Sequence, residues 1–298
     1  MQWGICNLSD EAVDGLTHEV LAELHNRRLV SVNNSLRMDR RLLNELKWLS
    51  NAVDDDFDGF ILIDGEIEGC GKSLLGMQVC VSRDKKFTAK QIAYDLIDVA
   101  RILQWIPKKR ALLFDESGAD TESAGVLSKK NRAFKRIMEK CRQKNLFVVL
   151  VRPSFFDWSK YYAIHRSWAL LTVKLVPDRE KKRFVRGFFD FYGRKRKKNL
   201  YLLGKKFMDR SVVRPNFRGM FSDDLPIPKK DYLERKKADF DDDIEKLLKD
   251  LSGDKPLNEE KFLGGERDAS GDDKQEIAGA DASGGEDKGS SVAGWLSF

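Results

Sequence analysis

The sequence predicts an α/β fold, a mostly parallel sheet covered by helices, and three observations predict it. Apolar runs at Phe60-Ile61-Leu62-Ile63, Ala111-Leu112-Leu113-Phe114 and Leu146 to Val151 have the length and composition of strands buried on both faces. Stretches with helical apolar spacing lie around them. The first run enters a glycine-bearing turn and then Gly69-Cys70-Gly71-Lys72-Ser73, after which Leu74, Leu75, Met77 and Val79 start a helix.

Strand, glycine-rich loop and helix in that order are the setting of a phosphate-binding loop. Glycines let the backbone form a nest of inward N–H groups, and the helix N-terminus adds its positive dipole end. Lys72 can reach the β- and γ-phosphates of ATP, and the Ser73 hydroxyl can ligate Mg²⁺. Gly69, Cys70, Gly71, Lys72, Ser73 and Leu74 are therefore the expected nucleotide-binding residues. The pattern G-x-x-x-x-G-K-[ST] puts its first glycine at position 66, where this chain has Glu66; Gly65 lies one place early. The plainer reading is a Gly/Ser turn.

The second run ends in Asp115-Glu116. A strand-end Asp can hold the Mg²⁺ water shell, the Walker-B role. A Glu directly after it is placed to polarise an attacking water. The expected roles are thus metal ordering for Asp115 and Ser73, and catalysis for Glu116 with Lys72. The plainer reading is a solvated acidic turn. Together and in this order, the two motifs resemble the additional-strand, catalytic-glutamate division of P-loop ATPases.

Taken in order, residues 1–57 read as a helical lead-in, with Val13, Leu16, Val20, Leu21 and Leu24, then Leu42, Leu43, Leu46 and Trp48, at helical spacing. Residues 58–176 read as the ATPase core. Within it a short strand is expected near 86–93, then a helix through Leu96, Val99 and Leu103, a loop over 118–128 and a basic helix over 129–144. The third apolar run ends in Arg152-Pro153-Ser154 and a further strand spans 167–176. Residues 177–229 read as an extension built on a β-hairpin whose tip is Arg194-Lys195-Arg196-Lys197-Lys198. A charged helix over 230–251 and a disordered acidic tail over 252–298 follow.

Charge is uneven. The net charge is +6, but residues 239–298 hold 17 acidic and 7 basic residues, which leaves +16 on the rest. A basic body with an acidic tail points to a polyanion partner, most simply nucleic acid. Residues 174–206 carry 13 basic and 3 acidic residues interleaved with Phe184, Phe188, Phe189, Phe191, Tyr192 and Tyr201, so the hairpin tip 194–198 is the expected nucleic-acid contact. The plainer reading is a solvated turn on aromatic strands. No apolar run is long enough to cross a bilayer, and no signal peptide is evident at Met1-Gln2-Trp3-Gly4. Cys6, Cys70, Cys80 and Cys141 lack metal-ligand spacing and read as free thiols in a reducing compartment, hence a cytoplasmic setting. The C-terminal Trp295-Leu296-Ser297-Phe298 is an apolar tip that could dock on a partner.

The ordered set resembles viral and plasmid P-loop ATPases of the zonula-occludens-toxin-like group, within the FtsK–HerA-type class. The residues that carry it are Ile63-Asp64-Gly65 into Gly69-Cys70-Gly71-Lys72-Ser73, Leu113-Phe114-Asp115-Glu116-Ser117, the strand into Pro153-Ser154-Phe155-Phe156-Asp157, and His165-Arg166. The resemblance implies a homo-oligomeric, usually hexameric, ring ATPase that moves or packages DNA. It implies a polar γ-phosphate sensor after the third run, at Ser154 or Arg152, and an arginine lent by a neighbouring subunit, for which Arg132, Arg136, Arg142 and Arg166 are candidates. The alternatives are a P-loop kinase acting on a nucleotide or other small molecule, and an assembly scaffold that binds nucleotide without turning it over.

Overall fold

The structure is a computed structural model and describes residues 29–33, 36–65, 67–115, 124–178 and 182–252. Its elements are β1 (Leu29–Asn33), β2 (Leu36–Asp39), α1 (Arg40–Asp54), β3 (Gly59–Gly65), α2 (Lys72–Arg83), β4 (Ile92–Ala93), α3 (Leu96–Trp105), β5 (Ala111–Phe114), α4 (Ala124–Gln143), β6 (Phe147–Val151), β7 (Ala169–Asp178), β8 (Arg183–Gly193), α5 (Arg194–Gly204), β9 (Phe217–Met220) and α6 (Lys229–Ser252). Short 3₁₀ turns at Ala89–Gln91 and Phe155–Asp157 and a wide π turn at Tyr161–Arg166 complete the set.

Seven strands form one sheet in the order β4-β5-β6-β3-β7-β8-β9. The five strands from β4 to β7 run parallel; β8 and β9 add antiparallel at one edge. This is a mixed α/β arrangement with a mostly parallel sheet, in which β6 is inserted between the loop strand β3 and the acidic strand β5. Every residue of β3, β5 and β6 is buried, as expected for strands covered on both faces. Ile61, Ile63, Leu113, Val149 and Val151 pack with α1 and α2. Phe60, Leu62, Leu112, Phe114, Val148 and Leu150, on the other face, pack with α3, α4, α5 and the turns after β6. The alternation is the strand period of two.

Two expectations are corrected. Within the predicted helical lead-in, Leu29–Asn33 and Leu36–Asp39 form an antiparallel pair, β1 with β2. Val30 and Val32 are β-branched, and Leu36 and Met38 alternate with Arg37, a strand period that the downstream helix α1 obscures. Residues 1–28 lie outside the described residues, as does the tail from 253 with Trp295-Leu296-Ser297-Phe298. The second correction concerns the basic run. The hairpin is β7 with β8, and Arg194 to Lys198 open the helix α5 instead of forming a hairpin tip. The buried positions of α5 are Lys197, Leu200, Tyr201 and Gly204, a helical stripe in which one place is taken by a lysine. A boundary at 176–177 falls inside β7, and β8 and β9 belong to the same sheet as the loop strand.

Lys197 is fully buried and caps the wide turn 161–166. Its Nζ donates to Ala163 O at 2.6 Å, to Ser167 O at 2.9 Å and to Ser167 Oγ at 2.5 Å. Desolvation, with the nearby Arg194 charge, pushes its pKa down to about 7. The unfolded chain therefore holds a proton on Lys197 that the folded chain releases above about pH 7, so this group makes stability rise from there toward the ordinary lysine range. Lys197→Met keeps the length but strands three buried acceptors; urea denaturation at pH 9 should show a loss of about 2 kcal/mol. The rise in stability between about pH 6.5 and 9 should be smaller in this variant than in the wild type.

Candidate functional site

β3 delivers its C-terminal end to the loop between Gly65 and Lys72. Gly69 and Gly71 have φ of +73° and +107°, a region open to glycine. Gly71 is the N-cap of α2 and offers it no side-chain hydrogen bond. The first-turn N–H groups of α2 are thus left to the loop concavity, where an anion is favoured. Lys72 Nζ donates to Ile67 O at 3.2 Å, so the ammonium curls back over the loop. Cys70 is buried and Leu74 packs against the core, so these two face the loop with backbone only. Ser73 is half-buried in the first turn of α2.

Gly65 explains the displaced glycine. A Cβ there would lie 2.6 Å from Cys70 Sγ and 3.1 Å from Lys72 Cγ, so the loop closes onto a position that must lack a side chain. From the other side Phe221, fully buried, lies 3.3 Å from where a Gly71 Cβ would be.

The acidic strand is set by register. Phe114 pairs with Leu150 and Ile63 with Val151, so Asp115, one step past Phe114, stands level with Ile63, two residues before β3 ends. Leu113 faces α2, lying 2.8 Å from where a Gly76 Cβ would sit. Asp115 is one alternation further along the same face, about 7 Å. Ser73 is three residues nearer the start of α2, about 4.5 Å, and α2 runs back against the strands. Both shifts go toward the end of the sheet where the loop lies. Asp115 is buried, and its N–H donates to Ala93 O at 2.8 Å. Glu116 and Glu66 lie outside the described residues.

The oxygen donors here fit a small hard cation. Mg²⁺ takes one or two carboxylates or hydroxyls together with phosphate oxygens and water, and Ser73 and Asp115 provide such a pair. Among the described residues no three His, Cys, Asp or Glu side chains form a metal cage.

After β6, Arg152 N donates to Ile63 O at 3.0 Å and prolongs the ladder. The Arg152 guanidinium lies over the Trp158 ring at 4.0 Å. Ser154 Oγ accepts from Phe156 N at 3.3 Å and stays half-buried beside the loop strand. Of the arginines named as trans donors, Arg166 pairs with Asp58 and lies over Phe60 at 4.5 Å, and Arg142 Nη1 donates to Asp56 O at 2.8 Å. Asp56 and Asp58 precede β3, at the sheet edge opposite the loop, so Arg142 and Arg166 serve the fold there. Arg132 and Arg136 are exposed on α4.

Two clusters were missed by sequence reasoning. Asp64 is fully buried at the end of β3; its Oδ2 accepts from Arg210 Nη2 at 2.6 Å and from Phe155 N at 3.0 Å. Burial pushes its carboxyl above the usual range against the pull of Arg210. The second cluster lies where α6 meets the end of β4. Arg235 pairs with Asp98 and stacks over Tyr94 at 5.7 Å, while Asp239 is pushed up to about 6, first by burial and then by Asp243, Asp98 and Asp95. Burial, followed by Tyr232, Asp115 and Asp239, raises the Tyr94 phenol far above its ordinary value and keeps it protonated.

Of the five basic residues at 194–198, Arg194, Lys195 and Lys198 are exposed. Arg196 is half-buried and donates to Arg214 O at 3.2 Å and to Pro215 O. Lys197 is inside, which removes it from any phosphate contact. Cys70, Cys80 and Cys141 are free and buried. Among the described residues no helix is long and apolar enough to cross a membrane.

No protein-family model matches the chain, and no curated protein matches its sequence. One solved structure with a partial likeness is a DNA polymerase III gamma-subunit-related protein from Thermotoga maritima, 14% identical, with a TM-score of 0.27. The match covers 37% of this chain and 39% of that one.

The fit of Gly65 to Cys70 can be tested. Gly65→Ala should cost about 1–3 kcal/mol through overpacking. Adding Cys70→Ala removes the clashing sulfur and should recover part of the loss, so the two effects should be non-additive in urea denaturation.

Proposed function

We propose that the chain is a Mg²⁺-dependent P-loop ATPase. What supports the reading is that the glycine loop opening α2 follows β3, and Asp115 follows β5, at the same end of the parallel sheet. In this reading the loop N–H groups and Lys72 bind the phosphates, and Ser73 and Asp115 hold the cation, which when bound neutralises charge on the β- and γ-phosphates. Glu116, directly after Asp115 in the chain, takes a proton from the attacking water. Ser154, at the end of the strand between the two motifs, is the sensor of the terminal phosphate; the Arg152 side chain, laid on Trp158, is assigned to packing.

The finer part of the proposal is coupling to DNA by a ring of identical chains. Its support is the +16 charge outside the acidic tail and the exposed Arg194, Lys195 and Lys198 on α5. Phosphates attract such cations without regard to base sequence.

Lys72→Ala should abolish binding of a fluorescent ATP analogue; unchanged affinity would sink the assignment of the loop. Glu116→Gln should keep that affinity and lower kcat by about 10²–10⁴-fold, the usual worth of a general base. Replacing Arg194, Lys195 and Lys198 by serine should flatten the salt dependence of duplex DNA binding. Each lost phosphate contact takes about 0.9 from the slope of log K against log salt. A slope equal to that of the intact protein would move the DNA surface off α5.

A further inference from the structure

The end of β4 carries a residue that neither motif uses. Ala93 pairs with Phe114 in parallel register, so Tyr94 stands level with Asp115. Register partners share a face. Ala93 and Phe114 both enter the core under α3 and α4, and Tyr94 accordingly packs on the α2 side, the face that Asp115 shares. The Tyr94 hydroxyl is buried and has no hydrogen-bond partner among the described residues. Arg235 lies over its ring, and the charges of Tyr232, Asp115 and Asp239 act on it.

The ring is held in place. Tyr94 N donates to Asp98 Oδ2 at 3.4 Å, and Asp98 also pairs with Arg235, whose guanidinium covers the ring at 5.7 Å. Asp95 caps the start of α3 by accepting from Asp98 N at 2.7 Å. A buried phenol without a partner is costly, and here two helices fix it beside the carboxylate assigned to the cation. The donor thus has no acceptor among the described residues.

We propose that Tyr94 is a positioning residue for the divalent cation, its hydroxyl donating a hydrogen bond to the hydration shell that Asp115 holds. The proposal rests on the phosphate-loop reading and deepens it. Mg²⁺ gives up water reluctantly and keeps several waters when bound, so its protein partners are largely groups that orient those waters. Loss of such an outer partner typically lowers metal affinity by about 10–100-fold. Arg235 and Asp98, by clamping the ring, tie α6 to the same cation.

The test uses the full chain, a non-hydrolysable fluorescent ATP analogue and Mg²⁺. In Tyr94→Phe the Mg²⁺ concentration that half-saturates the metal-dependent gain in affinity should rise about tenfold. Analogue affinity in EDTA and the thermal midpoint should stay at the wild-type values. In an Asp115→Asn background, Tyr94→Phe should add nothing, because the shell has lost its holder. A half-saturating Mg²⁺ concentration equal to the wild type would overturn the proposal. An equal loss of affinity with and without Mg²⁺ would also overturn it, by assigning Tyr94 to packing. A wild-type protein that binds no analogue in either condition would overturn the loop reading and this inference with it, and it is told apart because it precedes any variant.

Discussion

The close seating of α2 on the sheet is the constraint on which the site depends. Gly76 leaves room for Leu113 and Val151 to touch the helix directly, and a Cβ there would lie 2.8 Å from Leu113 Cδ1. That contact fixes how far α2 stands above β5 and β6. The height of the loop over Asp115 follows, since the loop is the start of the same helix. The strands contribute the other half. β3, β5 and β6 are locked in register by parallel ladders and by two apolar faces, so their ends cannot slip relative to one another without turning buried side chains toward solvent.

Charge is sorted along the strands in a way that supports this frame. At the edge where the parallel strands begin, Asp58 gathers Arg166 and Arg142. At the edge where they end, Asp64 Oδ2 accepts from Arg210 and from the turn after β6. A buried carboxylate without such partners would be costly; with them it ties the loop strand to the turn that carries Ser154. On the antiparallel side, buried Asp190 is matched by Lys174 on β7 and Arg218 on β9, at 3.1 and 3.2 Å. Each of these aspartates crosslinks neighbouring elements of the fold.

Much of this was legible from residues alone because the period was clean. Phe60 to Ile63, Ala111 to Phe114 and Leu146 to Val151 are continuous apolar runs, and they are three adjacent buried strands. The α5 helix was not legible, because charges are expected outside and Lys197 is inside, its pKa lowered by desolvation and its Nζ donating to carbonyls. The first hairpin was hidden by its shortness and by the strong helix behind it. Asp64, Tyr94 and Arg235 carry no local signal at all. Their partners lie 146, 4 and 137 residues away, and only the fold brings the two distant pairs together.

The passage of the chain after β9 gives the loop an unusual dependence on chain order. Phe221 backs Gly71, Gln78 Nε2 donates to Ser222 O at 2.7 Å across 144 residues, and Arg235 reaches Asp98. During synthesis the glycine loop emerges first, and the wall behind it follows only after the strands from β4 to β9. Closing such distant pairs is slow, because loop entropy must be overcome before the contact gives anything back. A nascent chain that has made the glycine loop and the acidic strand end therefore still lacks the packing that shapes them until β9 and the start of α6 have followed.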